Sequence, residues 1–190
     1  ALGVASESSE SSESSSSRVS PPDTGIFVGI SFNDWAQLTM WNGSPQMRKS
    51  VFASSGSFTS YASGRLSFSF GFRGPCLSVN TACSSGLVAL HGAFNAVAAG
   101  DTSRAVAACP NAILDPTISI NFAVKGITSP RGRCHTFDAS ADGYMRSEAC
   151  LAVALGPRAN ESICGVESVV VRHDGKSASL TAPNGSAQMA

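Results

Sequence analysis

The chain has 190 residues, enough for one domain with a core and hardly for two. Thirteen basic residues balance thirteen acidic ones, which excludes a globally basic nucleic-acid binder and a supercharged acidic protein. Charged residues make up only 14% against 43% hydrophobic, a balance that suits elements buried on several sides, as in an α/β enzyme.

Residues 6–17 read SESSESSESSSS and have nothing to bury, so residues 1–24 are expected to form a disordered linker or insertion ahead of a domain at 25–190. The chain opens without a basic start or a long apolar stretch, so no secretory signal is expected, and without an initiator Met, so Ala1 is read as an internal position or a processed end. GIFVGI (25–30) is a short β-rich apolar run and predicts a buried strand. Residues 57–70 read as a helix, Gly71–Pro75 as a turn and Leu77–Thr81 as a strand.

Residues 84–99, SSGLVALHGAFNAVAA, are the clearest helix, with Ser84 and Ser85 as N-cap and Gly100 as C-cap. Its apolar residues cover nearly the whole circumference, which predicts a central, buried helix. Gly86 and Gly92 inside it point to close backbone packing. A strand at Arg104–Cys109, a loop or helix through Lys125 and a turn-rich stretch at 128–144 follow. Strands at Cys150–Leu155 and Cys164–Arg172 complete an alternation that favours α/β. No apolar run is read as long enough to span a bilayer, so no membrane span is expected.

The six cysteines at 76, 83, 109, 134, 150 and 164 are dilute and form no CxxC pair. That pattern favours reduced thiols in an intracellular, cytoplasmic setting, with an organelle such as a plastid as the alternative, over a disulfide scaffold, a metal site or a redox protein. Sequons at Asn42, Asn160 and Asn184 are read as chance in a serine-rich chain.

Cys83 stands at a strand-to-helix junction. There it faces free backbone N–H groups and the positive end of a helix dipole, which favour a thiolate nucleophile. Ala82, Ser84, Ser85 and Gly86 leave room for a substrate. On spacing alone an inert core cysteine remains the alternative. No histidine completes the nucleophile. His91 lies eight residues along the same helix, about 12 Å away at 1.5 Å per residue, and His135 and His173 fall in polar turns. GxSxG is absent, and DGKS at 174–177 lacks the glycine of a phosphate loop. Asp138 and Asp142 are read as loop-bracing groups rather than a catalytic pair or a calcium loop.

GIFVGIS (25–31), GRLSFSFGFRGP (64–75), NTACSSGLVALH (80–91), SPRGRCHTFDASADGYMRSEA (129–149) and DGKSASLTAPNGSAQ (174–188) follow one another in a familiar order. Together they resemble the ketosynthase (β-ketoacyl-acyl carrier protein synthase) domain of polyketide and fatty-acid synthases. The resemblance implies a partial thiolase-like fold, layered α/β/α, with the nucleophile at the N-terminus of a buried helix. It implies that Cys83 accepts an acyl chain from the phosphopantetheine of an acyl carrier protein and passes it to a decarboxylated malonyl-type unit. No cofactor, metal, nucleic acid or membrane span is implied, and a homodimer is. Arg131, Arg133 and Arg146 are candidates to meet an acidic carrier, with ordinary surface charge as the alternative.

The family's further histidines lie in HGTGT and N-x-G-H segments downstream of TAPNG, beyond Ala190. The chain is therefore read as an internal fragment that also lacks the family's opening strand, and the isolated residues are expected not to condense. A non-condensing acyl-holding relative or a structural partner protein is the alternative. Asn80 stands where the family has aspartate, and Ser147 and Ala149 where it has glycines. Glu148 is read as structural.

Overall fold

A computed structural model describes residues 2–5, 23–157, 162–179 and 182–189. The elements in chain order are β1 (Leu2–Ala5), β2 (Thr24–Gly29), α1 (Asp34–Ala36, continued by a π-turn over Gln37–Trp41), α2 (Pro45–Arg48), α3 (Ala53–Ser57) and α4 (Ser60–Phe70). They continue with β3 (Cys76–Val79), α5 (Ser85–Ala99), β4 (Arg104–Asn111), α6 (Pro116–Val124), β5 (Ala149–Pro157), β6 (Cys164–Val166) and α7 (Gly185–Gln188).

The six strands form one mixed sheet in the order β3-β2-β4-β5-β1-β6. β2 runs parallel to β3 and β4, whereas β5 is antiparallel to β4 and β1, and β1 is antiparallel to β6. From β2 the chain crosses to β3 on one side, and from β3 it crosses back over β2 to β4. Right-handed crossovers in opposite directions place their helices on opposite faces, so α4 covers one face and α5 the other. All six residues of β2 are buried between them, which explains its unbroken apolar run.

The main core is built from Phe27 of β2, Ala89, Ala93 and Ala96 of α5, Ala105 and Ala107 of β4, and Leu155 of β5. Three alanines one turn apart let the helix lie close on the sheet. A Cβ at Gly92 would stand 2.9 Å from the Phe27 ring, and one at Gly86 2.9 Å from Cys109 Sγ. The close packing read from those two glycines is therefore present. Gly29 is tighter still: a Cβ there would collide with the Ser85 carbonyl.

Several expectations are corrected. Residues 1–24 are not one linker, because Leu2–Ala5 pairs with β5 and β6 and Thr24 already belongs to β2. The Ser/Glu tract at 6–17 lies outside the described residues. The helix at 57–70 divides into α3 and α4, because Phe58 is extended between them. The last strand covers Cys164–Val166 only and does not reach Arg172.

α5 is buried along one stripe rather than all round, with Leu87 68% exposed. The segment Ala82–Ala99, with mean hydropathy 1.3, is by length and composition apolar enough to cross a membrane, contrary to the sequence reading. Its alanine stripe is packed on the sheet.

Candidate active site

The carboxyl ends of β2, β3 and β4 converge where the crossovers diverge. In open parallel sheets that switch point leaves a crevice between loops leading to opposite faces. Ser31–Asn33 follows β2, Asn80–Ser84 follows β3 and Ala112–Asp115 follows β4. Cys83 sits in the middle segment, exposed, one residue ahead of the Ser84 that opens α5. The expected strand-to-helix junction is present, with Cys83 in it.

The junction is a sharp elbow. Ala82 has φ 55°, left-handed backbone that a side chain resists at a cost of about 1–2 kcal/mol. Short hydrogen bonds hold it there. Ser85 Oγ, buried, accepts from Thr81 N at 2.9 Å and donates to the Ala82 carbonyl at 2.6 Å. Ser84 Oγ donates to the Thr81 carbonyl at 2.8 Å. The sequence assigned both serines to capping, but neither satisfies a first-turn N–H of α5; both lace the elbow behind Cys83. Gly100 does close the helix, with φ 80°.

The crevice walls are fixed from below. Asp34, 4% exposed, accepts through Oδ2 from Leu114 N at 3.1 Å and Asp115 N at 3.2 Å, tying the loop after β2 to the loop after β4. Asn33 accepts from Ala36 N at 3.0 Å and donates to the Ser57 carbonyl, so it caps α1 and anchors α3. Sequence reasoning missed both residues. An Asn-Asp pair after a buried strand is the capping signal that marks them. Glu148 accepts from Ile113 N at 2.7 Å, and Asn111 donates to the Ser147 carbonyl at 2.6 Å, so the structural reading of Glu148 fits the contacts.

The remaining polar candidates are dispersed. His91 contacts Asn95 within α5, its Nε2 3.0 Å from the amide nitrogen. His173 Nδ1 accepts from Gly175 N at 2.9 Å in a separate turn. A cleft of about 660 Å³ beside that turn is lined by Arg172–Ser177 and contains no part of the elbow. Asp138 accepts from Ser140 N, and Asp142 is paired with Arg131 at 2.8 Å. The Ser140 backbone bond holds the Asp138 carboxyl below its ordinary value, and the Arg131 hydrogen bond does the same for Asp142. Both carboxylates brace the loop, as read.

Of the three arginines considered for a carrier, Arg131 is engaged with Asp142. Arg146 donates to Ser119 Oγ and lies 5.7 Å from the centre of the Phe122 ring. The ring in turn meets Phe32 edge-on at 5.6 Å. Among the described residues no cluster of three or more His, Cys, Asp or Glu suits a metal ion.

The family model for the N-terminal domain of β-ketoacyl synthase matches residues 1–160. A highly reducing polyketide synthase of Penicillium soppii is 36% identical over 84% of this chain and 6% of its own length. A component of the phenolphthiocerol/phthiocerol polyketide synthase of Mycobacterium tuberculosis is 37% identical over 88% of this chain and 8% of its own. The chain thus spans less than a tenth of these relatives. Among solved structures, an oxazolomycin ketosynthase domain of Streptomyces albus JA3453 superposes with TM-score 0.62 at 34% identity, covering 70% of this chain and 22% of that one. The ketosynthase from module 6 of the bacillaene synthase of Bacillus subtilis 168 gives 0.73 at 23% identity, covering 90% and 28%, a likeness of fold alone. The mixed sheet with helices on both faces is thiolase-like, and the chain belongs to the β-ketoacyl synthase family, whose N-terminal domain it carries.

Proposed function

We propose that Cys83 is the acyl acceptor of a ketosynthase. The observation that carries the reading is an exposed thiol on a braced elbow, at the crevice where the parallel strands end and a 15-residue helix begins. The Cys83 thiolate attacks the carbonyl of an acyl thioester carried on the phosphopantetheine of an acyl carrier protein. The Cys83 backbone N–H supplies one donor to the tetrahedral oxyanion, and the pantetheine thiolate leaves. In the whole protein a malonyl-type thioester then loses CO2. Its carbanion equivalent attacks the Cys83-bound carbonyl, forming the C–C bond and expelling the Cys83 thiolate. The fold brings no histidine onto the elbow among the described residues, so the isolated chain is expected to stop at the acyl-enzyme.

A second copy is proposed to pair at β3. This edge strand exposes Cys76 and Leu77 and carries no proline or lysine that would block strand addition. A reducing, intracellular compartment is proposed for a protein that depends on a free thiol.

The test is to incubate the chain with an acyl-pantetheine thioester and locate the acyl group by peptide mass spectrometry. The reading predicts acylation at Cys83 and its loss in Cys83→Ala with unchanged melting. Acyl transfer to other cysteines only, or to none, overturns it. Carbon–carbon bond formation by the isolated chain would overturn the narrower claim that it stops at the acyl-enzyme.

A further inference from the structure

The turn at residues 173–176 borders a cleft of about 660 Å³. Gly175, at φ 70°, makes the bend, and its N–H donates to His173 Nδ1 at 2.9 Å. Asn184 holds the bend in place: its Nδ2 donates to the Lys176 carbonyl at 3.2 Å, and its backbone N–H donates to Asp174 Oδ2 at 3.3 Å. The bend brings Arg172 and Lys176 onto the lining of one cleft, together with the His173 ring. Because His173 Nδ1 accepts, the ring proton of this tautomer sits on Nε2, and the imidazole offers a donor without carrying charge. Asp174 is the one acid among the described lining residues, and Asn184 engages it. Arg172 and Lys176 are exposed, and among the described residues neither cationic head has a hydrogen bond or an ion pair.

We propose that this cleft binds a phosphate ester, held by Arg172 and Lys176 with His173 as a neutral donor. A guanidinium fork and an ammonium on one concave surface match phosphate oxygens in charge and in donor geometry, and the walls of the cleft concentrate their field. DGKS at 174–177 is no phosphate loop, so recognition rests on side-chain cations rather than on a cradle of backbone N–H groups. The volume exceeds that of a bare phosphate and leaves room for the organic part of an ester. Two sources share this chemistry: the phosphopantetheine of a carrier protein and free coenzyme A. The choice of pantetheine probes rests on the acyl-acceptor reading, whereas the gain in affinity from the phosphate does not involve Cys83.

The experiment titrates the 190-residue chain calorimetrically with 4′-phosphopantetheine and with pantetheine, which differ only in the phosphate. The phosphorylated probe is expected to bind at least about tenfold more tightly, with a gain that added salt reduces. Arg172→Ala and Lys176→Ala should each weaken phosphopantetheine by about fivefold, the scale of one exposed charge pair, and leave pantetheine unchanged. Lys125→Ala, an exposed cation on another part of the surface, should change neither. Equal affinity for the two probes overturns the proposal, and so does a loss in Lys125→Ala equal to that in Lys176→Ala. Coenzyme A and a phosphopantetheinylated carrier protein, each titrated against wild type and Arg172→Ala, separate the sources: the one whose binding falls is the ligand, and a fall in neither overturns the site. Failure of Cys83 to acylate while the phosphate gain persists overturns the acyl-acceptor reading alone. Should a variant unfold by circular dichroism, the two probes on the wild type decide.

Discussion

The elbow at 80–86 and the segment at 128–149 are both irregular, polar and rich in small residues, and each holds one non-glycine residue in left-handed backbone: Ala82 at φ 55° and Phe137 at φ 63°. They are held in different ways. Around Ala82 the partners are neutral hydroxyls and an amide, set between a helix and the sheet it packs on. Around Phe137 the ring is fully exposed, and the bracing comes from carboxylates, Asp138 to Ser140 N and Asp142 to Arg131. The bracing of the elbow is neutral and does not titrate, whereas the bracing around Phe137 is charged and depends on pH.

The contrast breaks most severely at Gly29. Alanine there drives a methyl group into the Ser85 carbonyl, and the backbone cannot yield without separating β2 from the start of α5. The expected loss is about 3 kcal/mol or more, read from chemical denaturation, with Cys83 labelling falling to the level of the other exposed cysteines. Asp34→Ala comes next. It leaves the N–H groups of Leu114 and Asp115 without their acceptor in a buried setting, a cost of about 2 kcal/mol in the same measurement.

Replacing the two left-handed residues by glycine separates the regions further. Ala82→Gly relieves backbone strain while giving the unfolded chain more freedom, a net gain of about 0.5 kcal/mol in thermal melting. Because its hydrogen bonds are backbone ones, the elbow keeps its shape and Cys83 labelling stays near wild type. Phe137→Gly should give a similar small gain and leave Cys83 untouched, since no bond links that residue to the elbow among the described residues. A large drop in Cys83 labelling in Phe137→Gly would show that the regions are coupled.

Acid gives the smallest effect. Hydrogen bonds hold the Asp138 and Asp142 carboxyls below their ordinary value of 3.8. A depressed folded value means that the bracing is fully present above 3.8 and is lost as pH falls through the lowered values. Amide exchange in residues 138–145, corrected for its intrinsic pH dependence, should therefore accelerate on acidification below 3.8 before that of residues 80–86. Equal acceleration in both would remove the distinction between charged and neutral bracing.

Much of the parallel half of the sheet was legible in the sequence because burial on two sides writes a continuous apolar run, as at 25–30. The junction at Cys83 was legible because a strand, small residues and a helix meet there within a few positions. In the antiparallel half β5 and the start of β6 were legible, but β1 and the end of β6 were not. Leu2–Ala5 is four residues long and separated from its partners by more than a hundred positions, so its pairing leaves no local pattern. The apolar residues after Val166 read as a strand, yet among the described residues no neighbour pairs with them in the sheet. The roles of Ser85 and Asp34 were hidden for another reason. Each is defined by backbone groups that its own sequence neighbourhood does not reveal, and only the fold brings Leu114 beside Asp34.

The helix that follows Cys83 rests on the sheet through Ala89, Ala93 and Ala96. Alanine has no side-chain torsion to hop between wells, so these three positions add none of the rotamer disorder that leucine or methionine would bring there. Through those three contacts, agitation of the core reaches the sulfur of Cys83 as backbone displacement, which the β2–β3–β4 hydrogen bonds restrain. The mounting resembles a bearing with little play: it steadies where the Cys83 sulfur stands through what its side chains lack.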